Sequence, residues 1–101
     1  MRKYIAEALG AYALTLAVLT ALATAAADKT PVPVIAGLAL GLLVYSLGPI
    51  SGAHLNPAIS IGLFMINKLN LKDMIIYIVA QFAGAWLAFM TAHYLISTCR
   101  L

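Results

Sequence analysis

The six basic and three acidic side chains of this chain are confined to a few short clusters, and that spacing limits the possible folds more than any other feature. Charge occurs at Arg2, Lys3 and Glu7, at Asp28 and Lys29, at Lys68, Lys72 and Asp73, and at Arg100, which leaves 8–27, 30–67 and 74–99 uncharged. Each interval is long enough to cross a hydrocarbon core, which takes about 20 residues of helix. With 64% apolar residues and a mean hydropathy of +1.03, the chain has too little polar surface to face water. The lipid bilayer is its expected surroundings, and the plasma membrane its expected location. The net charge of +3 comes from loop and terminal residues, so it bears on orientation and makes no case for nucleic acid.

The first span, expected at about 4–26, has alanines at 13, 17, 21 and 25, a spacing that lays small side chains along one helix face. Its start imitates a cleaved signal peptide, but the apolar run is longer than such a segment and carries Glu7. Pro31 suits the first turn of a second span at about 31–48, within which Gly37 and Gly41 form a GxxxG step. A third span, at about 71–97, opens with Asn70 as N-cap and Asp73 three residues later, and repeats the small stripe at Ala80, Gly84, Ala88 and Ala92. These stripes predict a tightly packed bundle and are silent on its function. Cys99 has no second cysteine to pair with and reads as a small apolar filler near a helix end.

The interval 30–67 is too long for one crossing and, after the break expected at Gly48-Pro49, too short for two. Residues Pro57 to Ile66 as helix cover about 15 Å, half of a hydrocarbon core about 30 Å thick. A helix that stops at mid-membrane leaves backbone N–H groups without partners, at several kcal/mol each in lipid, so its end must be buried in protein or face water. Asn56 is a strong N-cap, and Pro57 removes one of the orphan donors. If the Asn56 oxygen caps the helix, its NH₂ is left to donate outward. The preceding Ser51-Gly52-Ala53-His54-Leu55 is expected to be extended, with the carbonyls of Gly52, Ala53 and His54 as a row of acceptors. Donors beside acceptors suit neutral hydrogen-bonding solutes, and the positive end of the helix dipole disfavours cations.

The stretch "SGAHLNPAIS", Ser51 to Ser60, resembles the first pore loop of the aquaporin (major intrinsic protein) family, whose Asn-Pro-Ala motif sits at the tip of a half-helix. "AEALGAY" at Ala6–Tyr12 and "AQFAGAW" at Ala80–Trp86 are similar to the family's first-helix and third-helix patterns, in the same order and spacing. The resemblance implies an all-α membrane protein of three transmembrane helices plus one re-entrant half-helix at 51–66, a single half of an inverted repeat over 1–101. It also implies a half-length member whose pore is completed by an antiparallel homodimer that pairs two copies of Asn56-Pro57-Ala58, with four such pairs, or eight chains, by analogy. A constriction arginine usual in the family is replaced by Ile59, and Ala36 stands where water-selective relatives often carry an aromatic. A wider constriction that admits glycerol is therefore expected. By the same resemblance Glu7 hydrogen-bonds the pore loop, with Gln81 in a similar buttressing role; snorkelling of Glu7 to the interface and proton coupling are its other readings.

With three crossings and a loop that enters and leaves on one side, Arg2, Lys3, Lys68 and Lys72 share a side and Lys29 and Arg100 face the other. Four against two favours the N-terminus inside only mildly, so insertion both ways is a hypothesis. His54 has no second ligand at metal spacing, so neither metal nor cofactor is expected. His93 with Tyr94, and Tyr4 with Tyr77, read as interfacial pairs, and Trp86 as packing or lipid contact. No nucleophile–base set or phosphate loop suggests an enzyme. The alternatives to a passive channel are a proton-coupled exporter of dual topology, resembling the small multidrug resistance proteins, and a non-conducting membrane subunit.

Overall fold

The computed structural model describes residues 1–99, so Arg100 and its assigned side lie outside the described residues. All regular structure among them is helical: α1 (Arg2–Asp28), α2 (Val32–Ser51), α3 (Pro57–Met65) and α4 (Leu71–Cys99). Three of these, α1, α2 and α4, are long and apolar enough to cross a membrane. The longest dimension of 45 Å equals the full thickness of a bilayer with its headgroups, about 40–45 Å.

Helix α1 is the central element. It packs against α2 on one side and α4 on the other, while α3 lies against α4. Helices α1 and α4 run parallel, since Lys3 Nζ meets Asp73 Oδ2 at 2.8 Å near both starts and the hydroxyls of Tyr12 and Thr91 meet at 3.0 Å further along. Small residues decide how closely they approach. A Cβ on Gly84 would collide with the backbone of α1 at Ala8 and Tyr12, and one on Gly10 would overlap the side chains of Leu47 and Leu55. Ala88 and Ala92 continue the buried stripe on α4. Asn70 caps α4 as its position suggests, with Asp73 N–H donating to Asn70 Oδ1 at 2.7 Å.

Burial is inverted relative to a water-soluble domain. The interior holds alanine, glycine and serine together with Glu7, Gln81 and Asp73, whereas Leu38, Leu42, Val79, Phe82 and Trp86 stand outward. Such a surface is stable only against lipid or further protein. Trp86 therefore has its face to the outside, packed beside Phe89.

Several expectations need correction. Helix α2 does not stop at Gly48-Pro49 but continues to Ser51. Pro49 removes only one backbone bond, in a last turn, and the extra residues bring the Ser51 hydroxyl to Glu7 at 2.7 Å. The stretch after it is not extended: Gly52, Ala53 and Leu55 all have positive φ, of 86°, 50° and 58°. Helix α3 ends at Met65, with Ile66 as its C-cap. A Cβ added at Gly37 or at Gly41 would meet nothing within 4 Å among the described residues, so this step packs no helix here. Cys99 is exposed at the end of α4 and fills no gap. Tyr77 does meet Tyr4, edge-on with ring centroids 5.9 Å apart, but it is buried rather than exposed.

Candidate functional site

Nine residues of α3 rise about 13 Å, so a span-length neighbour such as α1, with 27 residues, overshoots it by a wide margin. The helix begins at Asn56, whose backbone is extended and whose Oδ1 accepts from Ala58 N–H at 2.8 Å. Pro57 follows at the position where its missing N–H costs nothing. Asn56 is exposed, and its Nδ2 donates to no described residue. No described residue donates to the carbonyl oxygens of Gly52, Ala53 or His54.

What holds this irregular segment is a set of buried side chains centred on Glu7, which has no exposed surface. Glu7 Oε2 accepts from the Ser51 hydroxyl at 2.7 Å and from His54 N–H at 3.0 Å. Its Oε1 accepts from Leu55 N–H at 2.9 Å and from Gln81 Nε2 at 2.8 Å. One carboxyl group from α1 thus satisfies two loop amides, the end of α2 and a side chain of α4. This burial excludes the snorkelling position for Glu7. Gln81 also donates to Ser60 Oγ on α3 at 3.0 Å, and the Ser60 hydroxyl lies 3.2 Å from His54 Nδ1. Gln81 Oε1 is buried with no partner among the described residues.

Tyr77 closes the set from α4: its hydroxyl donates to the Ser51 carbonyl at 2.8 Å, and its ring lies 4.9 Å from that of His54. From the sequence Tyr77 reads as interfacial and Ser51 and Ser60 only as part of the loop stretch, so the anchoring role of all three is missed there. The signal was available for Tyr77, which lies one helical turn before Gln81 and so on the same face. The His54 ring is an inward packing element, and no group of three potential metal ligands occurs among the described residues.

Beyond the tip of α3 a cavity of about 380 Å³ opens between α1 and α4. Asn56 and Pro57 form one end, with Thr15, Val18, Phe82 and Ala85 among the walls. Its lining is mostly apolar with a few polar side chains, Thr15, Asn56 and Gln81, a composition usual for small-molecule sites. Ile59 and Ala36, the two constriction candidates, do not line this cavity. Ile59 is half exposed at 50% on α3, and Ala36 is partly buried on α2.

The sequence model of the family described as "Major intrinsic protein" matches residues 1–100. "Glycerol uptake facilitator protein-like 6" of Lactiplantibacillus plantarum is 36% identical over 88 residues, covering 87% of this chain and 41% of that protein. "Aquaporin NIP1-2" of Arabidopsis thaliana is 37% identical over 100 residues, covering 94% of this chain and 34% of its own length. In three dimensions the chain is similar to the aquaglyceroporin from Plasmodium falciparum seen by X-ray crystallography, with a TM-score of 0.86, 34% identity, and 96% and 42% of the two chains covered. The chain spans less than half the length of each of these proteins.

Proposed function

The chain belongs to the major intrinsic protein family, and from that membership we propose that it forms a passive path across the cell membrane for water and small uncharged solutes such as glycerol. In this reading residues 4–26, 31–48 and 71–97 cross the hydrocarbon, and 51–66 re-enter it from one side. The observation that carries the proposal is the tip of α3, where the Asn56 NH₂ and three successive carbonyls have no partner among the described residues and the segment is anchored on Glu7. Unpaired groups at mid-depth are costly in lipid, so a water-filled path accounts for their survival.

Asn56 supplies the central donor, Gly52, Ala53 and His54 supply acceptors, and Pro57 with Ala58 shapes the tip. Glu7 and Gln81 hold the loop, while Ile59 and Ala36 set a constriction that forms only when a second half is present. That second half is another copy inserted the opposite way, its Asn56-Pro57-Ala58 facing the first, and four such pairs make the analogous assembly. The printed names of the relatives, a glycerol uptake facilitator and an aquaglyceroporin, support glycerol alongside water. The exporter reading requires Glu7 to trade protons with water, and its complete burial under four donors speaks against that.

Stopped-flow swelling and shrinking of proteoliposomes under water, glycerol and urea gradients tests the proposal. Asn56→Asp keeps an N-cap for α3 but replaces the free donor with an acceptor. Water flux is expected to exceed that of protein-free vesicles and to fall at least about tenfold in the variant, a change of about 1.4 kcal/mol. Flux equal to that of empty vesicles, or flux driven by a pH gradient and abolished by Glu7→Gln, overturns it.

A further inference from the structure

Two adjacent basic residues open α1, and the structure uses them differently. Lys3 is tied to Asp73 at 2.8 Å, which also accepts from the Tyr4 hydroxyl at 2.6 Å and from Asn70 Nδ2 at 3.4 Å. Arg2 has no ion-pair partner among the described residues. Its side chain lines one end of a groove of about 230 Å³ between α1 and α2, whose other walls are Ile5, Ala6, Leu9, Leu47 and Ile50. A cation therefore stands at the start of a membrane-spanning helix, at headgroup depth, above a slot that is apolar throughout. Leu9 marks its deep end, seven residues or about 10 Å further along α1.

We propose that this groove binds an anionic phospholipid, with the phosphate on the Arg2 guanidinium and an acyl chain against Ile5, Leu9, Leu47 and Ile50. The guanidinium fork matches phosphate geometry, and basic pockets between transmembrane helices are established sites for anionic headgroups. Charge at this end favours an anion. Arg2, Lys68 and Lys72 are exposed, Asp73 is occupied by its three partners, and Glu7 is turned into the loop. The apolar walls select a lipid over free phosphate, and the slot is too small for a helix of about 10 Å diameter from a second copy. The inference needs only the membrane-spanning helices and stands apart from conduction.

The test is native mass spectrometry of the protein released from bilayers of phosphatidylglycerol and phosphatidylcholine in equal amounts, reading the ratio of the two lipids retained. Enrichment of phosphatidylglycerol is expected for the native chain. It should fall about fivefold in Arg2→Gln, the effect of one basic residue at an anionic surface. Ile50→Trp, which fills the slot from an exposed position, should release both lipids, whereas Lys72→Gln should leave the ratio within about twofold. No enrichment in the native protein overturns the proposal, as does an equal fall for Arg2→Gln and Lys72→Gln, which marks a diffuse surface charge. A protein dimer lost in Ile50→Trp with lipid retention unchanged also overturns it and assigns the groove to a second copy.

Discussion

Glu7 is the residue on which the irregular loop depends, because its two oxygens each accept two hydrogen bonds, and the His54 and Leu55 amides among the donors have no other acceptor among the described residues. An amide in its place offers one acceptor oxygen and turns an NH₂ toward donors. Glu7→Gln is thus expected to orphan one or two loop amides at about 3 kcal/mol, and amide exchange at His54 and Leu55 should accelerate roughly a hundredfold. Unchanged exchange at those two amides would show that the loop holds itself. Part of this site was legible in the sequence, since a lone acid in an uncharged run and a cap-and-proline pair are conspicuous by type, while the contact of Glu7 and Gln81 with the loop was expected only from the family resemblance. Ser51, Ser60 and Tyr77 were not legible as anchors, because serines and tyrosines are common in membrane helices and only tertiary contact gives these three a partner. The positive φ at Ala53 and Leu55 was equally hidden, because non-glycine residues adopt it only where anchors such as Glu7 hold them.

At the scale of helices, the contact between α1 and α4 rests on Gly84, where backbone meets backbone. Gly84→Leu forces α1 away at Ala8 and Tyr12, so a loss of about 1–3 kcal/mol is expected from overpacking, read as a lower thermal unfolding midpoint in detergent. The matching change at Gly41 meets open space in this chain and should leave that midpoint in place. If both variants melt alike, the α1–α4 seam does not limit stability. The contrast shows why element packing was only partly readable. Charge spacing located the long helices, because crossing a bilayer fixes their length, and small-residue spacing marked faces of close approach. Which of those faces meets a partner within the chain depends on the arrangement of all three helices, so Gly84 and Gly41 looked alike until α2 was seen to pack along α1 and to meet α4 through its last residue, Ser51. The end of α2 was misjudged for a related reason: a proline in a last turn is inexpensive when the residue two positions later, Ser51, gains a buried bond.

At the scale of the whole molecule, a short helix and the loop before it are held by side chains from α1, α2 and α4 together. The large outward apolar side chains suit contact with lipid or with further protein, and the cavity past Asn56 lies on the side where α3 stops short. All of this turns on the depth and wetness of that tip. Spin labels placed singly at Ala58 and Met65, after Cys99→Ser, measure both in liposomes through the relaxing effect of oxygen and of a water-soluble nickel complex. The predicted result is an Ala58 label about 10 Å deeper than the Met65 label, yet accessible to the aqueous reagent. Equal depths, with α3 flat along the surface, or an Ala58 label reached by oxygen alone, would contradict it.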